Sequence, residues 1–365
     1  MSTPAPIRVA LIGYGFAGQT FHAPLIGATP GLHLQLIGSR DAAKVAAGLA
    51  ASGLAEATTV ADPFAAATDA RADLVVIATP NDSHAPLARA ALDAGKHVVV
   101  DKPFALDLAQ ARELSALAEQ RGRLLSVFQN RRWDSDFLAV RGLIESGRLG
   151  EVVHFESHID RYRPQVRERW REQAGAGSGL WWDLGPHLVD QALQLFGLPQ
   201  RVSASLAIQR DGAQVADWAH VMLDYGRRRA ILHASMLVAG GSARFTVHGE
   251  RGSAVKALAD RQEAQLLAGI RPGAPDWGRD EDPTIVYDDA GRHALPTPAG
   301  DQRRYYAGIR DAVLGHGANP VTPAQALAVM AVLETAETAA AHGHSLSLPL
   351  SEAEHAAFAA DAISR

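Results

Sequence analysis

The chain has 365 residues, a net charge of −5 and no cysteine, and 47% of its residues are hydrophobic. This length exceeds what one hydrophobic core usually serves, so two domains are expected. The net negative charge implies no basic surface for nucleic acid, and no apolar run of about 18 residues indicates a membrane span. The absence of cysteine excludes disulfides, a catalytic thiol and cysteine-based metal sites. No charged leader precedes the first apolar run, so we expect no signal peptide, and the absence of cysteine fits a cytoplasmic protein.

The first predicted element is a short buried strand, residues 7–12, which leads directly into a glycine-rich turn and then a helical pattern. In this context the turn predicts a dinucleotide site. The first glycine permits a tight turn, the second lets the backbone approach a diphosphate, and the third lets helix and strand pack closely. The helix N-terminus favours the anion. The cofactor contacts predicted here are Gly13, Gly15, Phe16, Ala17 and Gly18.

The second predicted strand, residues 32–37, ends where a dinucleotide enzyme selects between its two cofactors. An NAD enzyme usually has an acidic residue here to hold the ribose 2′-hydroxyl. This chain has Ser39 and Arg40 instead, and a guanidinium pairs well with phosphate. We therefore predict NADP as the cofactor and NAD as the alternative, with Arg40 then stacking on adenine or lying in solvent. Asp41 is predicted to cap the alanine-rich helix after it.

Strands and helices continue to alternate up to residue 128, with strands predicted at residues 56–60, 73–79, 96–100 and 124–128. This alternation predicts a doubly wound parallel sheet, which binds ligands at the carboxyl ends of its strands. Lys102, which precedes a proline, would be well placed for chemistry there, although an exposed surface lysine is the common alternative. The further cofactor contacts predicted at these strand ends are Thr79, Pro80, Asn81, His84, Asp101 and Lys102.

The alternation stops after residue 128. A strand at residues 151–159 would carry His154 and His158 on one face, where a polar sheet face is favoured over a metal pair. Residues 269–283 read as a long loop, and residues 301–314 and 323–341 as helices. Further strands, which we expect to be antiparallel, are predicted at residues 201–208, 218–225, 229–237, 244–249 and 253–259, with a hairpin connection at Gly226.

A carboxylate and an imidazole, Asp183 and His187, lie four residues apart in the C-terminal half. On a helix these positions share one face, so both side chains would point into the same space. Such a pair beside tryptophan suits proton transfer to a polar, ring-shaped substrate. The alternative is that Asp183 caps the helix and His187 fills a core position.

Together these motifs resemble the glucose–fructose oxidoreductase, inositol dehydrogenase and rhizopine-catabolism (Gfo/Idh/MocA) family over essentially the whole chain. The family has a glycine-rich first turn, a Glu-Lys-Pro after the fifth strand and an Asp-x-x-x-His on a helix of its second domain. Asp101 stands in place of the usual glutamate and keeps the charge on a shorter side chain. Residues 129–134 and 161–164 resemble the branch that includes NADP-dependent scyllo-inositol dehydrogenases.

The resemblance implies an α/β fold with two domains. Residues 1–128 would form a Rossmann domain with a doubly wound parallel sheet. Residues 129–365 would form an α+β domain with a mostly antiparallel open sheet, used for substrate binding and oligomerisation. A homodimer or homotetramer is the reasonable expectation.

The resemblance also implies that Lys102, Asp183 and His187 carry catalysis. A carbinol hydrogen would leave as hydride to the nicotinamide, and His187, with an unperturbed pKa of about 6.5, could accept the hydroxyl proton. Lys102 would lower that pKa and stabilise the developing alkoxide, and Asp183 would orient Lys102 or a substrate hydroxyl. This chemistry needs no metal ion, and no ligand cluster can be recognised in the sequence.

We therefore expect an NADP-dependent oxidoreductase that acts on a secondary alcohol of a cyclic polyol or sugar, with inositol as the first candidate. The alternatives are a sugar dehydrogenase or keto-sugar reductase of the glucose or 1,5-anhydrofructose type, and a non-catalytic NADP-binding redox sensor. A sensor would not need all three catalytic residues, and no nucleophile motif supports a hydrolytic site. The candidate substrate contacts, chosen by chemical type and region, are Asn130, Arg131, Tyr162, Arg163, Trp170 and Trp182.

Overall fold

The computed structural model describes residues 5–54 and 57–363. Their packing divides the chain into two compact units. The first contains the described residues of Met1–Trp133, Arg261–Gly278 and Asp301–Ala326, and the second contains those of Asp134–Asp260, Arg279–Gly300 and Leu327–Arg365. The domain boundary predicted after residue 128 stays a prediction, since these units follow packing rather than a single cut in the chain.

A parallel sheet forms the centre of the first unit. Its order is β3-β2-β1-β4-β5-β6, and every neighbouring pair is parallel. The doubly wound parallel sheet is therefore confirmed, and its order reverses between β1 and β4, where such sheets bind ligands. Of the strand predicted at residues 56–60, Glu56 lies outside the described residues. The strands are β1 Ile7–Ile12, β2 Leu32–Gly38, β3 Thr58–Val60, β4 Leu74–Ile77, β5 His97–Val100 and β6 Leu125–Val127.

The second unit contains a larger sheet with the order β14-β13-β12-β11-β7-β10-β9-β8. Its neighbours are antiparallel except β7 and β10, which pair in parallel, so the mostly antiparallel sheet is confirmed. The strands are β7 Val152–Asp160, β8 Arg201–Ala207, β9 Trp218–Tyr225, β10 Arg228–Ser235, β11 Phe245–Gly249, β12 Gly252–Lys256, β13 Thr284–Asp288 and β14 Gly291–Leu295.

Helices cover these sheets. Asp41, Asp62 and Asp107 cap three of them by accepting a backbone N–H of the first turn, which confirms the predicted cap at Asp41. No helix of the described residues combines the length and hydropathy that a membrane crossing requires. The helices are α1 Ala23–Gly27, α2 Ala42–Ala51, α3 Pro63–Thr68, α4 His84–Asp93, α5 Leu108–Arg121, α6 Ser135–Glu145, α7 Leu180–Phe196, α8 Gln262–Leu267, α9 Arg303–Val313, α10 Pro323–His342 and α11 Glu352–Ile363.

The two faces of the larger sheet differ. Phe155 and Ser157 of β7 are buried on one face, and Phe155 packs edge-on against Phe196 of α7. Because side chains alternate along a strand, His154 and His158 lie on the opposite face, where both are partly buried. The helix α7 therefore packs on one face only, and the other face carries the polar side chains of β7.

Four elements of the structure are absent from the prediction: α8, β13, β14 and α11. The first three are only five or six residues long, which is too short for a clear period in the sequence. The loop prediction at residues 269–283 agrees with the structure, which has neither helix nor strand there. The hairpin at Gly226 is also confirmed, because this glycine has a φ of +80° between β9 and β10.

Candidate active-site residues

The three glycines of the first turn face different surroundings. Gly13 has a φ of +98°, and a Cβ there would lie 2.5 Å from the carbonyl oxygen of Ala78. A Cβ on Gly18 would lie 2.1 Å from the carbonyl oxygen of Gly13, whereas one on Gly15 would meet no atom within 4 Å. The fold itself therefore requires the first and third glycines, and the second borders open space. This arrangement fits the diphosphate of a dinucleotide, which needs close access to the backbone.

The helix that follows the turn supplies the N-terminus that such a diphosphate would face. Residues 16–27 are continuously helical, and the Gln19 N–H donates to the Gly15 carbonyl oxygen over 2.9 Å. Within this helix Gly18–His22 are π-helical. Phe16 is exposed in the first turn. Because the first N–H groups of a helix have no partner within it, they favour an anion at this end.

The end of β2 brings Ser39, Arg40 and Asp41 to the edge of the same sheet. The Asp41 N–H donates to Ser39 Oγ over 3.2 Å, and Asp41 Oδ1 accepts the N–H of Lys44 over 2.9 Å. The Asp41 carboxylate is thus used in capping α2. Arg40 is exposed, and within the described part of the chain its guanidinium has no carboxylate partner.

His84 connects the loops that follow β4 and β5. One ring nitrogen lies 3.0 Å from the Thr79 carbonyl oxygen, and the other lies 2.9 Å from the Pro103 carbonyl oxygen. His84 is buried, as is Asn81 in the preceding turn. Pro80 precedes that turn directly. These contacts indicate that His84 helps to fix the position of the two strand ends, and its contact with a cofactor stays a prediction.

Asp101 and Lys102 follow β5 directly. Asp101 is buried, and its Oδ1 accepts the Lys102 N–H over 2.9 Å and lies 3.8 Å from His22 Nε2. Burial raises the pKa of Asp101, but the facing His22 and the neighbouring Lys102 ammonium outweigh it and lower the pKa to about 2. Asp101 is therefore a carboxylate at neutral pH. Lys102 is partly exposed.

The predicted substrate contacts Asn130 and Arg131 lie in a 3-10 turn, Asn130–Trp133, of the first unit. Asn130 is buried. The Arg131 guanidinium forms an ion pair of 3.0 Å with Glu263 of α8. Part of the charge of Arg131 is therefore neutralised within the chain, and its contact with a substrate stays a prediction.

Asp183 and His187 both lie on α7, one turn apart, as the spacing predicts. The alternative that Asp183 caps this helix is wrong, because α7 begins at Leu180 and its N-cap is Gly179. Gly179 has a φ of +90°, which glycine readily adopts, and its position before Leu180 provides no side-chain cap. His187 is buried and Asp183 is partly exposed.

Gly185, which lies between these two residues, lets α7 pack closely against α10. A Cβ on Gly185 would lie 2.8 Å from the Trp181 ring and 2.9 Å from the side chain of Leu333 in α10. Trp181 is buried and donates its indole N–H to the Leu333 carbonyl oxygen over 3.1 Å. The position of α7, and with it that of Asp183 and His187, is therefore set by contact with α10.

Two arginines face the Asp183 carboxylate. Arg171 Nε lies 3.5 Å from Oδ1, and Arg161 Nη1 lies 3.9 Å from Oδ2. Asp183 also lines a small pocket of the second unit together with Arg171 and Arg210. Burial and the neighbouring guanidinium groups lower the pKa of Arg163 in the same loop. Neither Arg161 nor Arg171 is among the predicted site residues; the only signal in the sequence is the density of arginine between residues 161 and 171.

The three aromatic residues predicted to contact substrate have different environments. Tyr162 is 62% exposed. The Trp170 ring lies 4.5 Å from the guanidinium carbon of Arg171. Trp182 is buried and donates its indole N–H to Glu337 of α10 over 2.6 Å. Trp182 thus contributes to the packing of α7 against α10, and a substrate contact by any of the three stays a prediction.

Two domains of one family match the chain. Residues 7–129 match the NAD-binding Rossmann fold of the Gfo/Idh/MocA oxidoreductases, and residues 141–348 match their C-terminal α/β domain. The chain belongs to this family. As a Gfo/Idh/MocA protein with dehydrogenases among its relatives, it is an NAD(P)-dependent dehydrogenase, and both the predicted family and this class of activity are confirmed.

Three relatives show how far the similarity extends. The chain is 54% identical to the uncharacterized oxidoreductase YdgJ of Escherichia coli K12, over 94% of this chain and 99% of YdgJ. It is 34% identical to IolW, the NADP(+) scyllo-inositol 2-dehydrogenase of Bacillus subtilis, over 90% of this chain and 92% of IolW. A crystal structure of an oxidoreductase from Klebsiella pneumoniae is 60% identical, with 98% and 99% coverage and a TM-score of 0.92.

Proposed function

We propose that this Gfo/Idh/MocA protein is an NADP-linked dehydrogenase for a secondary alcohol of a cyclic polyol, with inositols as the first candidates. The observation that carries the proposal is α7, which holds Asp183 and His187 one turn apart. A relative with 34% identity over 90% of the chain is an NADP-linked scyllo-inositol dehydrogenase, and this supports the choice of substrate.

Three residues have assigned roles in the proposed reaction. The nicotinamide of a bound dinucleotide would supply the acceptor for the hydride that leaves the carbinol carbon. A ring nitrogen of His187 accepts the hydroxyl proton, and the Lys102 ammonium stabilises the negative charge that develops on the oxygen. Asp183, faced by two guanidinium groups, orients a substrate hydroxyl.

The preference for NADP rests on the end of β2. An NAD enzyme needs a carboxylate there for the ribose hydroxyls, but Asp41 is used in capping α2. The exposed Arg40 guanidinium is available for a 2′-phosphate, which it can bind through two parallel hydrogen bonds. The glycine turn and the residues after β4 and β5 would hold the rest of the dinucleotide.

The test is the initial rate of NADPH formation with scyllo-inositol, myo-inositol and glucose, each repeated with NAD. A strong rate with scyllo-inositol and NADP alone is the expected result. A rate with NAD alone would contradict the role of Arg40. If no polyol is oxidised while NADPH still binds, the polyol proposal fails, and reduction of 1,5-anhydrofructose is the next assay. No activity in that assay would favour the non-catalytic redox sensor.

Two variants separate cofactor choice from chemistry. Arg40→Ala should raise the KM for NADP and leave the KM for NAD unchanged. A matched control is Arg89→Ala, because Arg89 is an exposed arginine of the same unit paired with Glu113, and it should change neither KM. His187→Ala should lower kcat by about 10² to 10⁴-fold while NADPH binds as before. An unchanged kcat would show that His187 is not the general base of the reaction.

A further inference from the structure

We propose that His158, Asp160 and His233 form a site for a divalent transition-metal ion of the zinc type on the larger sheet. This histidine–aspartate trio uses none of the residues assigned to the dehydrogenase reaction. Among the residues that the structure describes, it is the group of histidine and acidic side chains whose ligand atoms converge, all within 4.8 Å of one another.

The register of the sheet brings the trio together. In the parallel pair of β7 and β10, His233 stands opposite His158, and Ser235 stands opposite Asp160. His158 and Asp160 are two residues apart on β7, so they point to the same face. This is the face opposite the one where Phe155 packs against α7. The site would therefore lie away from Asp183 and His187 within the second unit.

The buried carboxylate of Asp160 is the strongest indication of a metal site. Its side chain is only 3% exposed. Neither carboxylate oxygen has a hydrogen bond of good geometry in the described part of the chain, although Ser242 and His158 lie nearby. A buried carboxylate without such bonds is costly, and pairing with a metal ion is one of the few ways to offset that cost.

The distances within the trio suit a metal ion. Nδ1 of His158 lies 3.5 Å from Oδ2 of Asp160, and Nε2 of His233 lies 3.6 Å from Oδ1. Ligand atoms around tetrahedral zinc lie about 3.3 Å apart, because each bond is about 2.0 Å long. Small side-chain rotations would therefore close the trio around an ion.

The other ring nitrogens of the two histidines also have polar neighbours. Nε2 of His158 lies 3.1 Å from Glu156 Oε2, and Nδ1 of His233 lies 3.4 Å from Nδ1 of His220. If Nε2 of His158 donates its proton to Glu156, its Nδ1 lone pair faces the Asp160 carboxylate. In that neutral form two electron-rich atoms face each other, and either a metal ion between them or a proton on Nδ1 of His158 would remove the repulsion. A carboxylate behind a metal-bound histidine is a usual second layer of such sites.

The ligand types select the class of ion. Two imidazole nitrogens and one carboxylate oxygen suit zinc, cobalt and ferrous iron, whereas magnesium and calcium prefer oxygen ligands alone. Three protein ligands leave at least one position for water. The side chains of His158 and His233 are 18% and 14% exposed, so solvent reaches the edge of the trio.

The test is a titration of the purified full-length protein with Co²⁺, in the absence of cofactor and substrate. We expect a visible d–d absorption that saturates at one ion per chain and disappears when Zn²⁺ is added. His233→Gln and Asp160→Asn should each abolish it. Glu156→Gln should weaken binding by about 10 to 100-fold, because it removes only the contact behind His158.

A matched control is His248→Gln, since His248 is an exposed histidine of β11 in the same sheet and should leave the titration unchanged. Thermal unfolding of each metal-free variant checks that it folds. A wild-type protein without the cobalt spectrum, or a folded His233→Gln variant that keeps it, would overturn the proposal. A wild-type protein without the cobalt spectrum would mean that hydrogen bonds among the three side chains, without a metal ion, stabilise the trio. Neither result bears on the proposed dehydrogenase activity, which is measured separately.

Discussion

The glycines of the first turn show how one residue type can serve the fold at one position and a ligand at the next. A Cβ on Gly18 would meet a backbone oxygen at 2.1 Å, and backbone atoms cannot move aside as a flexible side chain can. A Cβ on Gly15 would meet nothing. Adding one methyl group should therefore disturb the fold at Gly18 and cofactor binding at Gly15.

We expect Gly18→Ala to lower the free energy of unfolding by about 1–3 kcal/mol, as overpacking generally does. Gly15→Ala should change it by less than about 0.5 kcal/mol, yet weaken NADPH binding, because the methyl group projects into the space that the diphosphate would need. Urea unfolding and fluorescence titration with NADPH measure the two effects. Wild-type affinity in Gly15→Ala would mean that the diphosphate does not approach this residue.

Local signals made some site residues predictable from the sequence, and tertiary contacts hid others. The Asp41 cap and the positions of Ser39 and Arg40 follow from residues adjacent in the chain. The two carbonyl contacts of His84 require two loops to meet, which no local pattern reports. Trp182 suits a sugar-binding wall by its chemistry, but the structure pairs its indole with Glu337.

At the scale of elements, α7 depends on a glycine that a helix would otherwise avoid. Gly185 leaves no room for a Cβ between Trp181 and Leu333. By contrast, Gly142 in α6 has no atom within 4 Å of where its Cβ would stand. Both are interior helical glycines, so the same substitution tests packing at one and helix propensity at the other.

We expect Gly185→Ala to cost about 1–3 kcal/mol of unfolding free energy and to lower turnover, because α7 must shift from α10. Gly142→Ala should stabilise the protein by roughly 0.5–1 kcal/mol, since alanine favours the helix and restricts the unfolded chain. Chemical unfolding measures both changes. Equal changes in the free energy of unfolding would show that close packing does not require a glycine at position 185.

Strand identity followed from the sequence more readily than strand partnership. The apolar runs of β1 and β4 predict buried strands because both faces of a parallel sheet are covered. Nothing in β7 or β10 predicts that they pair, or that they do so in parallel. The histidine–aspartate trio arises from that pairing, which explains why only the pair of His154 and His158 could be considered beforehand.

At the scale of the whole molecule, a buried arginine links distant parts of the second unit. Arg244 donates to Asp136 of α6 over 3.2 Å, to Ser157 of β7 over 2.6 Å and to Gln191 of α7 over 2.6 Å. Arg244, Asp136 and Gln191 are all buried. Removing the guanidinium would take one shared donor away from buried acceptors of three elements, although Asp136 would still accept the N–H groups of Phe137 and Asp260.

Arg244→Ala should therefore lower the free energy of unfolding by about 3–5 kcal/mol, the usual result of breaking a buried ion pair. The control is Arg227→Ala, because Arg227 pairs with Glu151 and Glu250 at the surface and water replaces such contacts. The urea midpoint of the control should equal that of the wild type. A small effect at Arg244 would mean that its partners find other donors.

The central position of β7 also affects how the protein is made. Among the strands of the larger sheet, β7 leaves the ribosome first. Its nearest partner along the chain, β10, follows roughly 70 residues later. At translation rates of about 5–20 residues per second, β7 therefore waits roughly 3 to 14 seconds without a neighbour. During that interval both of its edges can pair with other nascent chains. The parallel pair that creates the histidine–aspartate trio thus makes the yield of folded protein sensitive to the speed of synthesis and to chaperones that shield the strand.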